Sequence, residues 1–169
     1  MTEDELHQWF DAHGFAVEQV EHPATHRVED GLTHRVALPG AQTKSLLVED
    51  KAGGLTLIVA RGASRIDLKA LGKVLAVKGR FSFAKEERMV SALGVRPGTA
   101  TPLALSHPGA SKIAHVVVED VLRTAAQIWC HPLRNTASIG LSPQALDAFI
   151  NHHWGPPTYL SVAATDAPE

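Results

Sequence analysis

Nine residues near the middle of the chain, Gly94-Val95-Arg96-Pro97-Gly98-Thr99-Ala100-Thr101-Pro102, contain two glycines and two prolines. Such a run can continue neither a helix nor a central strand, because proline fixes φ and lacks an N–H. It reads as a shaped loop that divides the chain. Before it, Thr2 and Glu5 have capping-box spacing, with Leu6, Trp9, Phe10 and His13 at helical intervals, so residues 2–13 read as a helix stopped by Gly14. Phe15, Val17 and Val20 suggest a strand ending at His22-Pro23. Leu46–Val48 and Leu55–Ala60 flank a Gly53-Gly54 turn and read as a hairpin. Leu68, Leu71, Val74 and Leu75 recur at helical spacing behind Ser64 and Asp67. Met89, Val90 and Leu93 do the same before Gly94. After the loop, Leu103–Leu105, His115–Val118, Ile128–Cys130 and Thr136–Leu141 are candidate strands. Ser142-Pro143 then opens a helix through Leu146, Phe149, Ile150 and His153. From Thr158 the polar end is expected to fray. Strands outnumber helices and alternate with them irregularly, which predicts a mixed α/β sheet with helices packed outside. The 169 residues predict a single domain over 1–160 and a flexible tail over 161–169.

Sixteen Lys and Arg face eighteen Asp and Glu, for a net charge of −2, which excludes a uniformly basic nucleic-acid binder. The charge is unevenly spread. Residues 61–88 hold eight cations against three acids, a local balance of +5, so the rest of the chain carries −7. That segment can hold a polyanion, or it can simply present solvated helix faces. One cysteine, Cys130, excludes an internal disulfide framework and reads as a small core residue. The acidic start, Met1-Thr2-Glu3-Asp4-Glu5, has no apolar region of a signal peptide, and no apolar run is long enough to span a bilayer. A cytoplasmic protein is expected.

Conventional catalytic signatures are missing. The sequence has no Gly-x-Ser-x-Gly, no Walker A run, no Gly-x-Gly-x-x-Gly and no His-Glu-x-x-His. Of the ten histidines, His7, His13, His152 and His153 read as surface or helix-edge residues. Neither a metal nor a cofactor is expected.

Five segments, each weak alone, stand in register. They are Glu21-His22-Pro23-Ala24-Thr25; Thr43-Lys44-Ser45-Leu46-Leu47 after Pro39-Gly40; Phe81-Ser82-Phe83-Ala84; the Gly94–Pro102 loop; and His131-Pro132-Leu133-Arg134-Asn135-Thr136. Together they make the sequence similar to the YbaK/prolyl-tRNA-synthetase-associated editing domains, most of all the freestanding ProX type. The similarity runs from about Leu6 to Tyr159. It implies a barrel-like mixed sheet flanked by helices and hydrolysis of a mischarged aminoacyl-tRNA ester, in this branch alanine on proline tRNA. The family's Gly-x-x-x-Pro loop falls on Gly98–Pro102, its preferred lysine on Lys44 and its His-Pro-x-x-Asn-Thr segment on His131–Thr136. Two positions depart from the pattern. Ser45 stands where asparagine is frequent, and Glu49 where a basic residue is frequent.

An aminoacyl ester is already activated, so its hydrolysis needs placed water, oxyanion stabilisation and a grip on the terminal adenosine rather than a strong nucleophile. The loop through Gly98, Thr99 and Ala100 is expected to offer backbone donors, each worth roughly 3–4 kcal/mol at a tetrahedral oxygen, with Pro102 fixing the loop's exit. Lys44 is expected to anchor a phosphate or ribose oxygen; it serves equally well as a strand-edge lysine. His131 is expected to orient water or line the pocket, and a ribose hydroxyl of the substrate to assist. Val20, His22, Asn135, Thr136 and Ser138 are candidate contacts to the amino acid or adenosine. Lys78 and Arg80 are candidate contacts to the acceptor stem. A pocket too small for proline would act as a second sieve, because a synthetase site discriminates one or two methylenes by only about 1–3 kcal/mol. The expected partners are the acceptor end of proline tRNA and, transiently, prolyl-tRNA synthetase, with no membrane and a monomeric state. Deacylation of another mischarged tRNA such as Cys-tRNAPro, and a non-catalytic tRNA- or synthetase-binding module, are the alternatives.

Overall fold

The computed structural model describes residues 1–24 and 38–164. The predicted start, turn and stop signals are used. Thr2 caps α1 (Glu3–Ala12), its hydroxyl accepting from the Glu5 N–H at 3.2 Å. Asp67 caps α2 (Leu68–Val74) and Ser142 caps α4 (Pro143–His153) in the same way. Gly94, at φ 68°, ends α3 (Glu86–Leu93) in the left-handed conformation that glycine adopts without strain. In the hairpin turn the Asp50 carboxylate accepts from the Ala52 and Gly54 N–H groups at 2.9 Å. These bonds, Gly54 first, hold its pKa below the ordinary carboxylate value.

The strands are β1 (Glu18–Glu21), β2 (Ala41–Glu49), β3 (Leu55–Arg61), β4 (Ser82–Phe83), β5 (Ile113–Glu119), β6 (Ile128–Cys130), β7 (Ala137–Leu141) and β8 (Thr158–Leu160). They form one mixed sheet in the order β1-β7-β6-β2-β3-β5-β8, with β4 pairing off β2. Pairs β2/β6, β3/β5 and β5/β8 are parallel; β1/β7, β6/β7, β2/β3 and β2/β4 are antiparallel. The mixed α/β class read from the sequence is observed.

Each face of the sheet has its own covering. Leu47, Leu57, Val59, Ile128, Cys130, Ile139 and Leu141 point into the main core, where α1 contributes Leu6 and Phe10 and α4 contributes Phe149 and Ile150. Side chains alternate along a strand, so Trp129 and Gly140 fall on the opposite, outer face. There a Cβ on Gly140 would lie 2.9 Å from the Trp129 ring, which is why this position is glycine. Farther along that face, Leu46, Val48, Ile58, Ala60 and Val117 pack a second, smaller core beneath Leu68 and Leu71 of α2.

Two expectations are corrected. Leu103–Leu105 is not a strand. It lies in a 3-10 turn, Pro102–Ser106, because Pro102 stands at its first turn and Thr101 caps it, accepting from the Leu103 N–H. The chain also does not fray from Thr158. β8 extends the sheet beside β5, and Tyr159 donates to Asp147 at 2.7 Å. Beyond β8, Val162 is buried, its carbonyl accepts from the Asp67 N–H, and the Ala164 N–H donates to Arg65. Residues 161–164 of the expected tail are therefore docked, and 165–169 lie outside the described residues.

Candidate functional site

The β-register gathers residues that are far apart in sequence. Val20 on β1 lies opposite Ser138 on β7. Cys130 lies opposite Ile139, so one step farther the same antiparallel register brings His131 toward Ser138. Gln42 on β2 lies beside Trp129, and two steps farther along this parallel pair come Lys44 and His131. Val20, Ser138 and His131 therefore fall on one line across β1, β7 and the end of β6, on the outer face, and Lys44 lies on the same face of β2, two residues beyond its last pair with β6.

Side-chain hydrogen bonds fix this line. His22 Nδ1 is 2.8 Å from the Pro23 carbonyl. A carbonyl only accepts, so Nδ1 carries the proton. In the neutral ring Nε2 then accepts from the Ser138 hydroxyl, 2.9 Å away. The His22 N–H donates to the Thr136 carbonyl at 3.0 Å. His131 Nδ1 donates to the Ala137 carbonyl at 3.1 Å, which leaves Nε2 as the acceptor of the neutral ring. The two imidazoles stand 6.3 Å apart, centre to centre.

The Gly98–Pro102 loop is tied to this cluster through Thr101, whose hydroxyl donates to the His131 carbonyl at 2.7 Å. Gly98 has φ 89°, a conformation that a Cβ would strain, and the Thr99 N–H closes the turn onto the Arg96 carbonyl. Thr99 therefore contributes its N–H to the loop's own shape. That departs from the expectation that Thr99 offers a donor to substrate. Gly98 and Ala100 remain the donor candidates, and Pro102 is buried at the loop's exit.

Lys44 is half-buried, and its ammonium donates to the Ser64 carbonyl. Ser64 belongs to a compact polar knot. Its hydroxyl and the Arg61 guanidinium and N–H all donate to the buried Glu119 carboxylate, at 2.8–3.0 Å. Four donor atoms on one carboxylate make burial of its charge tolerable. The knot also sets the carbonyl on which Lys44 rests. The two departures from the family pattern have these surroundings. Ser45 sits opposite Val59 in the β2/β3 ladder, and Glu49 pairs with Arg88 at 3.3 Å.

Thr136 stands at the rim of the cluster, its carbonyl accepting from the His22 N–H, and Asn135 precedes it in the chain. Thr136 Oγ1 accepts from Arg134 at 2.8 Å. Two residues before Asn135, Leu133 holds φ 71°, a left-handed conformation that costs a non-glycine residue on the order of 1–3 kcal/mol. Lys78 and Arg80 are not drawn into the cluster. They are exposed on the turn after α2, where Arg80 joins Lys69 and Lys73 around a cavity of about 590 Å³ floored by Leu68, Gly72 and Phe81. This cavity lies on the same outer face as Lys44, next to the second core.

The sequence reading missed Thr101, Ser64, Glu119 and Arg134. Thr101 and Arg134 lie inside segments it singled out, but no local signal reveals their partners. Among the described residues no His, Cys, Asp and Glu side chains gather in threes as a metal site, and no helix is long and apolar enough to cross a membrane. Cys130 is buried in the main core, as expected of a small core residue.

Comparison with known proteins defines the class. Residues 22–149 match the aminoacyl-tRNA editing domain, and the chain belongs to that family. It is 34% identical over 164 residues to the prolyl-tRNA synthetase associated domain-containing protein 1 of Bos taurus, covering 92% of each chain. It is 34% identical over 154 residues to the protein of the same name in Mus musculus, covering 86% of this chain and 88% of that one. Its fold matches the crystal structure of a candidate trans-editing enzyme for prolyl tRNA synthetase, with TM-score 0.71, 19% identity and 96% of both chains covered. It also matches the hypothetical protein APE2540, with TM-score 0.72, 21% identity and coverage of 95% and 99%.

Proposed function

We propose that the protein is a trans-editing deacylase that hydrolyses alanine from mischarged proline tRNA. The observation that carries this reading is that Val20, Ser138 and His131 line up beside the Gly98–Pro102 loop, with Lys44 on the same face of β2. That arrangement offers a cation, a neutral imidazole acceptor and a glycine-shaped backbone. It suits an ester that needs placed water and a stabilised oxyanion. In this reading Lys44 exchanges the Ser64 carbonyl for an oxygen of the terminal adenosine. The N–H groups of Gly98 and Ala100 face the developing oxyanion, with Pro102 fixing the loop. His131 Nε2 accepts a hydrogen bond from water or from the ribose hydroxyl that assists the attack. Val20, His22, Ser138, Asn135 and Thr136 bound a pocket that admits alanine and excludes proline. Lys78 and Arg80 meet the acceptor stem, beside the cavity under α2. Prolyl-tRNA synthetase is a transient partner, and the protein acts as a monomer.

The test is deacylation of Ala-tRNAPro beside Pro-tRNAPro, Cys-tRNAPro and Ala-tRNAAla, each with and without EDTA. Rapid loss of Ala-tRNAPro alone, unaffected by EDTA, is the expected result. Preference for Cys-tRNAPro moves the substrate within the same chemistry. Tight tRNA binding with no hydrolysis overturns the enzymatic reading.

A further inference from the structure

Arg134 uses its whole donor set. Nε donates to Glu3 Oε2 at 2.6 Å, Nη1 to Glu21 Oε2 at 2.7 Å and to Thr136 Oγ1 at 2.8 Å, and Nη2 to Glu3 Oε1 at 3.0 Å and Glu21 Oε1 at 2.6 Å. A guanidinium has five N–H groups, and all five have an acceptor here. Gln19 braces the same carboxylates, donating to Glu3 at 2.5 Å and to Glu21 at 3.2 Å, and itself accepts from His7 Nε2 at 2.6 Å.

The position of this clamp matters more than its strength. Glu3 opens α1, Glu21 ends β1 immediately before His22, and Thr136 leads into β7. Thr136 is thus gripped from two sides, by Arg134 on its hydroxyl and by the His22 N–H on its carbonyl. Arg134 also directly follows Leu133, whose left-handed backbone persists only if its surroundings hold it. We propose that Arg134 is a positioning residue that fixes the separation between the β1 wall and the 131–136 wall of the acyl pocket, and thereby sets discrimination between alanine and proline. This rests on the deacylase reading. A sieve that works by size requires walls that do not yield. Planar, bidentate contacts to two carboxylates supply that rigidity, and an ammonium cannot reproduce their geometry. The bonds to Arg134 hold the Glu21 carboxyl down to about 2 and keep Glu3 below its ordinary value, so both stay charged at neutral pH.

The experiment is single-turnover deacylation of Ala-tRNAPro and Pro-tRNAPro by wild type, Arg134→Ala, Arg134→Lys and Glu21→Gln, with melting temperatures measured alongside. For Arg134→Ala the maximal rate on Ala-tRNAPro should fall roughly tenfold to a hundredfold, the scale of an ångström of misplacement. The half-saturating concentration should barely move, and the Ala-over-Pro rate ratio should drop several-fold. Arg134→Lys should recover part of the rate, and Glu21→Gln should move both quantities in the same direction by less. Glu21→Gln removes one arm at an exposed position, so it carries the test if Arg134→Ala does not fold. A wild-type rate and ratio in the variants, with only a lowered melting temperature, overturns the positioning role and leaves the deacylase reading standing. A raised half-saturating concentration at unchanged maximal rate also overturns it, by making Arg134 a tRNA contact. A wild type that hydrolyses no aminoacyl-tRNA removes the deacylase reading and this proposal together.

Discussion

On one side of β2 the ladders are long; on the other they are short and stitched by polar side chains. β2 and β3 pair through seven residues, and β3 and β5 through five, with all but the last residue of β3 buried. β2 and β6 pair through only two residues, β6 and β7 through three, and β1 and β7 through four. The short side is completed by side chains reaching backbone: Thr43 to the Trp129 carbonyl, Trp129 to Pro39, Thr101 to His131 and His131 to Ala137. Apolar burial, which is non-directional and tolerant, holds both sides. The short side adds directional bonds, which fix where a polar group stands. In the deacylase reading, a site that places one water and one ester uses the second kind of order and borrows its stability from the first.

Mutations on the two sides should separate accordingly. The largest effect is expected from Leu57→Ala in β3, where a fully buried side chain leaves a cavity worth about 2–5 kcal/mol. Denaturant midpoints should show this loss, while the deacylation rate per folded molecule stays near wild type. Lys44→Ala should do the reverse. Its rate on Ala-tRNAPro should fall about a hundredfold or more, as when an oxyanion-site donor is removed, with a melting temperature close to wild type. A large drop in melting temperature would instead place Lys44 with the structural knot around Glu119. Smaller still, Arg80→Ala and Lys78→Ala should each weaken tRNA binding and lower the salt slope by about one, with no change in the maximal rate. A salt-independent affinity would remove the electrostatic contact.

The smallest effect concerns the junction of α1 and α4. There His153 packs beside Trp9, Phe149 and His152 at ring distances of 4.3–5.6 Å. Burial first, then the charges of His152 and His13, push the His153 pKa below 6.5. The unfolded chain therefore binds its proton before the folded one does. Stability contributed by neutral His153 is present above pH 6.5 and declines as the pH falls through that value toward the lower folded one. Melting temperature followed from pH 7.5 to 5.5 should fall, and His153→Phe should flatten the curve.

What the sequence made legible follows the same division. Caps at Thr2, Ser142 and Gly94, the Asp50 turn and the apolar runs of β3 and β5 are local signals, written within a few residues of where they act. The Leu103–Leu105 run misled because three apolar residues look alike in a strand and in a buried 3-10 turn; Thr101 and Pro102 decide between them. β8 was invisible because its three residues gain their place from β5 and Asp147, not from their own pattern. At the site, residue types were legible and partners were not. His22 and Ser138 are 116 residues apart, and Arg134 and Glu3 are 131 apart, so only the folded register discloses that they meet. Family resemblance supplied Lys44, the Gly98–Pro102 loop and the His131–Thr136 segment together. Arg134 and Thr101, lying within these segments, drew no separate notice.

β2 belongs to both halves, and this makes the two walls of the site unequal in stiffness. In amide hydrogen exchange, a strand paired through seven residues with the buried β3 opens only at a cost near that of opening the whole domain. The backbone that carries Lys44, opposite Ala60 in that ladder, therefore exchanges with the core. Glu18–Glu21 form a four-residue strand at the end of the sheet, and such strands open locally at far smaller cost. One wall of the proposed pocket is thus held by its own ladder, while the wall bearing Val20 and leading to His22 depends on the Arg134 clamp at Glu21 to keep its place.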